Sequence, residues 1–254
     1  METRWLVRRN SRTTVVRVPV LCYHRIETPP ASAPSDGNFV APALFGEHLS
    51  MLSALGFTGV TVRDIAAWQR GHGTLPPRPI AITFDDAYES VVSDAIPQLD
   101  AYKWPCTVYV VTSCIGGTNA WDLAAPRATL LDAPALRTLS ARGHEIGSHS
   151  RLHRRIRGLS VEDASSELAG SRIELEAYVE AEVNSFAFPY GSHDQRALDA
   201  VRAAGYSAAC TLKRWANSRH GNALRLGRMS VGGRLPSWQL AAKLLKMFVT
   251  PSFS

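Results

Sequence analysis

The sequence predicts a single α/β domain built from parallel strand–helix units. Short apolar runs rich in β-branched and aromatic residues alternate along the chain with segments whose apolar residues recur at helical spacing, the order that parallel βα units require. Several of the helical segments open on a capping residue or close on glycine, as real helices do. Neither an internal repeat nor a domain linker divides the 254 residues, and α/β barrels commonly run to this length as one domain.

In chain order, residues 1–13 read as a basic lead-in, residues 14–235 as the domain, and residues 236–254 as a C-terminal helix and tail packed on it. Val15 to Tyr23 is a strand candidate that delivers His24 at its end, and Thr28 to Gly37, rich in Pro, Ala and Ser, is a loop. Leu44, Leu49, Leu52 and Leu55 predict a helix stopped by Gly56, and a second helix fits Val62 to Arg70 behind Thr61 as N-cap. Pro79 to Phe84 is a buried strand that ends in two adjacent carboxylates, Asp85 and Asp86. A helix from Tyr88 to Tyr102, kinked at Pro97, leads to a strand from Cys106 to Thr112 and a loop through Gly116, Gly117, Trp121 and Asp122. Asp132 to Arg142 is a helix with an Asp cap and Pro134 in its first turn. A short strand, His144 to Ser148, precedes a long helix from Val161 to about Glu182, capped by Ser160 with Asp163 three residues on. The remaining elements are a strand at Asn184–Pro189, a helix at Gln195–Ala204, strands at Tyr206–Leu212 and near Leu224–Val231, and a helix at Trp238–Met247.

Composition narrows the function classes. The chain is 45% hydrophobic, enough for a full core, and its net charge of +6 leaves room for an anionic partner. The arginines are nevertheless spread along the chain, with no zinc-finger spacing and no basic run interleaved with aromatics, so a nucleic-acid partner is not expected. Cys22, Cys106 and Cys210 lie in or beside apolar runs and, with Cys114, read as reduced thiols. No apolar run reaches transmembrane length, and none of signal-peptide length precedes Pro19, so the expected location is the cytoplasm. His144 is expected to cap or pack beneath a site, and His48, His72, His193 and His220 to be exposed.

Three stretches carry chemistry. Carboxylates are rarely buried unless paired or metal-bound, so Asp85 and Asp86 at a strand end mark a candidate site, with a capped turn as the plain alternative. His149 and His153 are four apart; were the chain helical there, both rings would share a face, and two histidines plus a carboxylate form a hydrolytic metal shell. Ser150 could orient a ligand or cap the next turn. Phe188-Pro189-Tyr190-Gly191 makes a rigid turn whose N–H groups can face a site, or an ordinary turn. Trp121 and Asp122 could line a sugar subsite, or Trp121 could belong to the core.

Thr83-Phe84-Asp85-Asp86, His149-Ser150-Arg151-Leu152-His153 and Phe188-Pro189-Tyr190-Gly191, in that order, resemble the polysaccharide deacetylases with a NodB-homology domain, carbohydrate esterase family four. Val20 to Ile26, Cys106 to Val110 and Gly143 to Ser148 add softer matches, so the resemblance covers about residues 18–232. It implies a distorted (β/α) barrel and a metal-dependent hydrolase removing N-acetyl or O-acetyl groups from a polysaccharide, oligosaccharide or glycan precursor. It further implies that Asp86, His149 and His153 hold one divalent ion, usually zinc with cobalt or nickel as alternatives. Asp85 becomes the general base, and Tyr190 offers a backbone N–H to the oxyanion beside Pro189 and Gly191. The chain departs from the family pattern in three places: Ala87 replaces a glycine, Ala187 replaces the arginine that orients the base, and no histidine follows His220. The Tyr23-His24 opening resembles the branch that deacetylates poly-N-acetylglucosamine exopolysaccharide and points to His24 as the acid, with a structural histidine as the alternative. Two other functions fit the same residues: hydrolysis of a non-sugar amide, and a glycan-binding module with a decayed site.

Overall fold

Pro79–Phe84 (β3) forms the middle of the sheet because nothing along it needs water: all six residues are buried. Fully burying an Ile or Phe side chain contributes about 1.5–3 kcal/mol, and Ile80, Ile82 and Phe84 all lie in the main core. The computed structural model describes residues 16–30 and 38–250, and the basic lead-in falls outside them. Around β3 an eight-stranded sheet assembles. Its other strands are Val20–Tyr23 (β1), Thr58–Val60 (β2), Thr107–Val110 (β4), Glu145–Ser148 (β5), Ser185–Ala187 (β6), Ala208–Cys210 (β7) and Met229–Ser230 (β8). The order is β7-β6-β5-β4-β3-β1-β8, with β2 pairing β3, and every pairing is parallel.

The sheet curls into the distorted (β/α) barrel of the sequence expectation. The stretch around residues 226–230 touches both edges: Leu226 bridges to Cys210 at β7, while Met229 and Ser230 pair with Leu21 and Cys22 of β1. Helices cover the outside: Pro42–Ala54 (α1), Val62–Gln69 (α2), Ile96–Ala101 (α3), Ala133–Ala141 (α4), Val161–Ser165 (α5), Ser171–Val179 (α6), Gln195–Ala203 (α7) and Ser237–Val249 (α8). Thr61 and Asp64 form a full capping box on α2, and Asp132 and Ser160 cap α4 and α5 as their sequences predict. Leu240, Leu244 and Met247 bury one face of α8 in the main core.

Four local expectations change. Thr58–Val60 is a strand, hidden in sequence by its brevity and Gly59, whose missing Cβ lets Trp104 pack against the backbone. The predicted helices at Tyr88–Tyr102 and Val161–Glu182 are each interrupted by a π-helical turn, at Val91–Ala95 and Ser166–Gly170. His149 to His153 is not helical but an irregular loop, with Ser150 at φ 69° and His153 at φ 58°. His48 is fully buried rather than exposed, its ring bonded to Tyr23 Oη and the Leu235 carbonyl.

Gly147 is the tightest point of β5: an added Cβ would lie 2.5 Å from Tyr109 Cε1 and 2.7 Å from Ser185 Oγ. Gly147→Ala is therefore expected to destabilise the fold by about 1–3 kcal/mol through overpacking, read from urea unfolding midpoints. A loss under about 0.5 kcal/mol would show that the ring of Tyr109 yields freely.

Candidate active site

The C-terminal ends of the strands share one rim, and four of them deliver the candidate site residues to it. His24 follows β1, Asp85 and Asp86 follow β3, His149 follows β5, and Pro189-Tyr190-Gly191 follows β6. This is the face on which barrels build their sites.

Asp85 is buried and held by Arg228, which the sequence reading had not placed. Arg228 Nη1 donates to Asp85 Oδ1 at 2.6 Å and Nη2 to Oδ2 at 2.8 Å, a bidentate pair with both partners buried. Arg228 Nη1 also donates to Thr83 Oγ1, Nε donates to the Thr211 carbonyl, and the guanidinium lies over the Tyr109 ring. Arg228 thus reaches Asp85 from the segment that contacts both edges of the sheet. Its one sequence signal is its place in the strand candidate Leu224 to Val231, where a charge that becomes buried demands a partner. Burial pushes the Asp85 carboxyl up, but Arg228 and then His149 outweigh it and hold Asp85 well below the usual carboxylate range. Cys22 donates weakly to Asp85 Oδ2 at 3.3 Å.

Asp86 faces the two histidines. Its Oδ1 is 3.3 Å from His153 Nε2 and 3.6 Å from His149 Nε2, yet it is buried and has no aligned hydrogen-bond donor. His149 explains why. Its Nδ1 lies 2.8 Å from the Ala187 carbonyl, which can only accept, so the proton is on Nδ1 and Nε2 is a bare acceptor. Burial depresses the His149 pKa to about 4, more than Asp85 raises it, so the ring is neutral and its 3.9 Å approach to Asp85 Oδ2 is not an ion pair at pH 7. Burial also raises the Asp86 carboxyl, but His153, His24 and His149 outweigh it and leave Asp86 below its ordinary value. The ring of His153 is fixed by Tyr190 Oη at 3.2 Å from Nδ1, by Trp121 stacked at 4.8 Å and by the edge of His149.

A buried carboxylate oxygen with no aligned donor, facing the bare Nε2 of His149 and the ring of His153, suits a cation. Ligands about 2.0–2.1 Å from a tetrahedral zinc lie about 3.4 Å apart, and the ligand atoms of Asp86, His149 and His153 all fall within 4.8 Å of one another. The donor set fits a divalent metal. His24 is half-buried, its Nδ1 buried without a partner, and it offers a ring nitrogen within 4.8 Å of both Cys22 Sγ and an Asp85 oxygen.

The other predicted residues have mixed surroundings. Tyr190 presents its phenol as well as its backbone, in a left-handed conformation at φ 59°, with Arg155 stacked 4.0 Å from its ring. Pro189 is buried, and Gly191 at φ 64° leaves no room for a Cβ beside Leu212. Asp122 Oδ1 accepts from the Ala124 and Ala125 amides and so shapes the loop that carries Trp121. His144 is buried below the rim against Cys106, and Ser150 Oγ is buried without a partner.

These features define a (β/α)-barrel protein with a candidate cation site on its C-terminal rim. The chain matches the family model described as polysaccharide deacetylase over residues 72–209, more than half its length, and belongs to that family. It is 24% identical over 217 residues to a putative polysaccharide deacetylase, YxkH, of Bacillus subtilis, covering 85% of this chain and 71% of that one. It is 25% identical over 196 residues to the poly-beta-1,6-N-acetyl-D-glucosamine N-deacetylase of Staphylococcus epidermidis, covering 74% and 66%. Its fold superposes on the deacetylase PplD of Streptococcus pyogenes with a TM-score of 0.78 at 19% identity, over 91% of this chain and 99% of that one. IcaB from Ammonifex degensii gives 0.77 at 22% identity, over 90% and 97%. Among the described residues no helix is long and apolar enough to cross a membrane.

Two outcomes follow from the electrostatics. Arg228→Ala leaves a buried carboxylate unpaired and is expected to cost about 3–5 kcal/mol in urea unfolding; a loss under 1 kcal/mol would mean that water replaces the guanidinium. His149 has a folded pKa below its unfolded value of about 6.5, so the unfolded chain binds the proton first. In chelator, stability is therefore expected to fall by up to about 3 kcal/mol as pH drops from about 6.5 toward 4, with Asp85 adding a further loss below about pH 3.9. Thermal melts that are flat across pH 6.5 to 4 would contradict the neutral, buried state of His149.

Proposed function

We propose that this chain is a metal-dependent carbohydrate deacetylase that hydrolyses N-acetyl groups, or the corresponding O-acetyl esters, on a polysaccharide, oligosaccharide or glycan precursor. The reading rests chiefly on one observation: the buried, unpartnered Oδ1 of Asp86 faces Nε2 of both His149 and His153, beside a carboxylate already neutralised by arginine. The family supports acetylated glycan as the substrate class, and the N-deacetylase relatives favour N-acetylglucosamine units.

Asp86, His149 and His153 are assigned to one divalent ion, zinc by preference, with cobalt or nickel as substitutes. When bound, the ion supplies Lewis-acid polarisation of the acetyl carbonyl and a lowered pKa for water. Asp85 is the general base and takes the water's proton at Oδ2, the oxygen 3.9 Å from His149 Nε2. Arg228 keeps that carboxylate ionised, at the cost of making it a weak base, so the scheme requires an acidified water. His24, with Nδ1 unpartnered, donates a proton to the leaving nitrogen. The Tyr190 N–H steadies the developing oxyanion, and Pro189, Gly191, Trp121 and Asp122 form the sugar-facing wall.

Acetate release from chitooligosaccharide and poly-β-1,6-N-acetylglucosamine fragments, with zinc, cobalt or chelator, tests the whole reading. Activity is expected with metal and absent with chelator. Asp86→Asn is expected to lose the ion. Asp85→Asn is expected to keep the ion and lose about 10²–10⁴-fold in kcat. Identical phenotypes with full metal retention would break that division. His24→Ala within a few-fold of wild-type kcat/KM would remove His24 as the acid.

A further inference from the structure

The loop between the two histidines is held by a carboxylate that no chemical step uses. Glu167 is buried, and its Oε2 accepts from the backbone N–H of Arg151 at 3.1 Å and of Leu152 at 2.9 Å. Among the described residues no lysine, arginine or histidine lies within ion-pair distance of it. A buried carboxylate with no ion-pair partner is expensive, and the two donors that offset that cost both lie in the loop between the histidines. Glu167 sits in the π-helical turn Ser166–Gly170, between α5 and α6. One extra residue in a helical turn rotates the side chains that follow it, and such insertions recur at functional sites.

The loop needs that hold. Its ends carry His149 and His153, and two of its residues, Ser150 and His153, are left-handed without being glycine. Each costs about 1–2 kcal/mol relative to the right-handed region. The opposite side of the backbone is tied as well: Thr112 N donates to the Ser150 carbonyl and Ser113 N to the Arg151 carbonyl. Ser150 N donates to Ser148 Oγ, which bonds Ser171 Oγ of α6. The carbonyls are thus fixed by the end of β4, while the two amides nearest His153 depend on Glu167.

We propose that Glu167 is a positioning residue for the cation site: by accepting from the Arg151 and Leu152 amides it sets the spacing of His149 and His153. This rests on the assignment of Asp86, His149 and His153 to a divalent ion. Without the carboxylate the two amides turn toward water, the left-handed conformation at His153 relaxes, and the second histidine leaves the position where its Nε2 faces Asp86.

Metal affinity and ligand geometry test this apart from activity. Zinc affinity of the wild type, His149→Ala, Glu167→Ala and Glu167→Gln would be measured by competition with a chromophoric chelator. Visible spectra of the cobalt-loaded proteins would be recorded beside thermal unfolding of the metal-free forms. Glu167→Ala is expected to lose about 10–100-fold in zinc affinity and to show altered cobalt bands. Glu167→Gln keeps one acceptor oxygen and is expected to fall between it and the wild type. If Glu167→Ala does not fold, Glu167→Gln decides alone: affinity lowered at least threefold with shifted bands supports the role, and unchanged affinity and bands overturn it. A variant that melts earlier but binds zinc like the wild type would show Glu167 to be only structural and also overturns the proposal. A wild type that binds zinc no better than His149→Ala would overturn the cation site itself, and with it the proposal.

Discussion

The buried pair between Asp85 and Arg228 is the constraint on which the rest of the rim depends. Two adjacent carboxylates in a dry pocket repel each other, and burial alone would protonate at least one of them. Arg228 settles that conflict on one side by matching both oxygens of Asp85. Asp86 is left facing the histidines, with its Oδ1 unpartnered. The pair also links chemistry to topology. Arg228 lies in the segment that contacts both edges of the sheet, so its ion pair ties the barrel's closure to β3. Buried pairs of this kind add little net stability over an apolar isostere but are costly to break, which gives them a role in specifying a single arrangement.

The same economy governs the imidazoles. The Ala187 carbonyl determines which nitrogen of His149 carries the proton, and Tyr190 Oη and the Trp121 ring fix the plane of His153. At position 187 the chain replaces the family's arginine with a residue whose side chain does nothing polar, and it uses that residue's backbone instead. Partners that orient an imidazole set which nitrogen faces a site, and here they come from separate strands and loops.

Much of this was legible in the sequence. Alternating strand and helix signals gave the parallel architecture, and caps at Thr61, Asp132 and Ser160 gave helix starts, because those signals are local. Asp85 and Asp86 stand out because a strand end is local, whereas His149 and His153 are drawn together by a loop and not by the helical spacing, so only the ordered motifs linked them and Tyr190 to the acids. Arg228 was not legible, since its pairing with Asp85 spans the chain and follows only from closure of the sheet. The π-turns at Val91–Ala95 and Ser166–Gly170 were hidden because helical periodicity tolerates one extra residue over a short run. His48 departs from its expected exposure because Tyr23 and the Leu235 carbonyl, both distant in sequence, provide it with buried partners.

Backbone conformation supplies the last link between the strand and its paired acids. Along a strand, neighbouring side chains point to opposite faces, so Asp85 and Asp86 could not share a pocket if β3 continued. The chain turns left-handed at the second acid: Asp86 has φ 73° and Ala87 φ 57°. The glycine usual after this motif would accept that conformation without strain. Alanine keeps it at a cost of about 1–2 kcal/mol, offset in part by a methyl group buried in the core. Of the eight left-handed residues other than glycine among the described residues, Asp86, Ala87, Ser150, His153 and Tyr190 lie in the rim loops. Strain of that order persists only where the surrounding structure over-determines it. Here the barrel beneath the rim provides that rigidity, which allows one strand end to present a neutralised carboxylate and one with an unpartnered oxygen to the same small space.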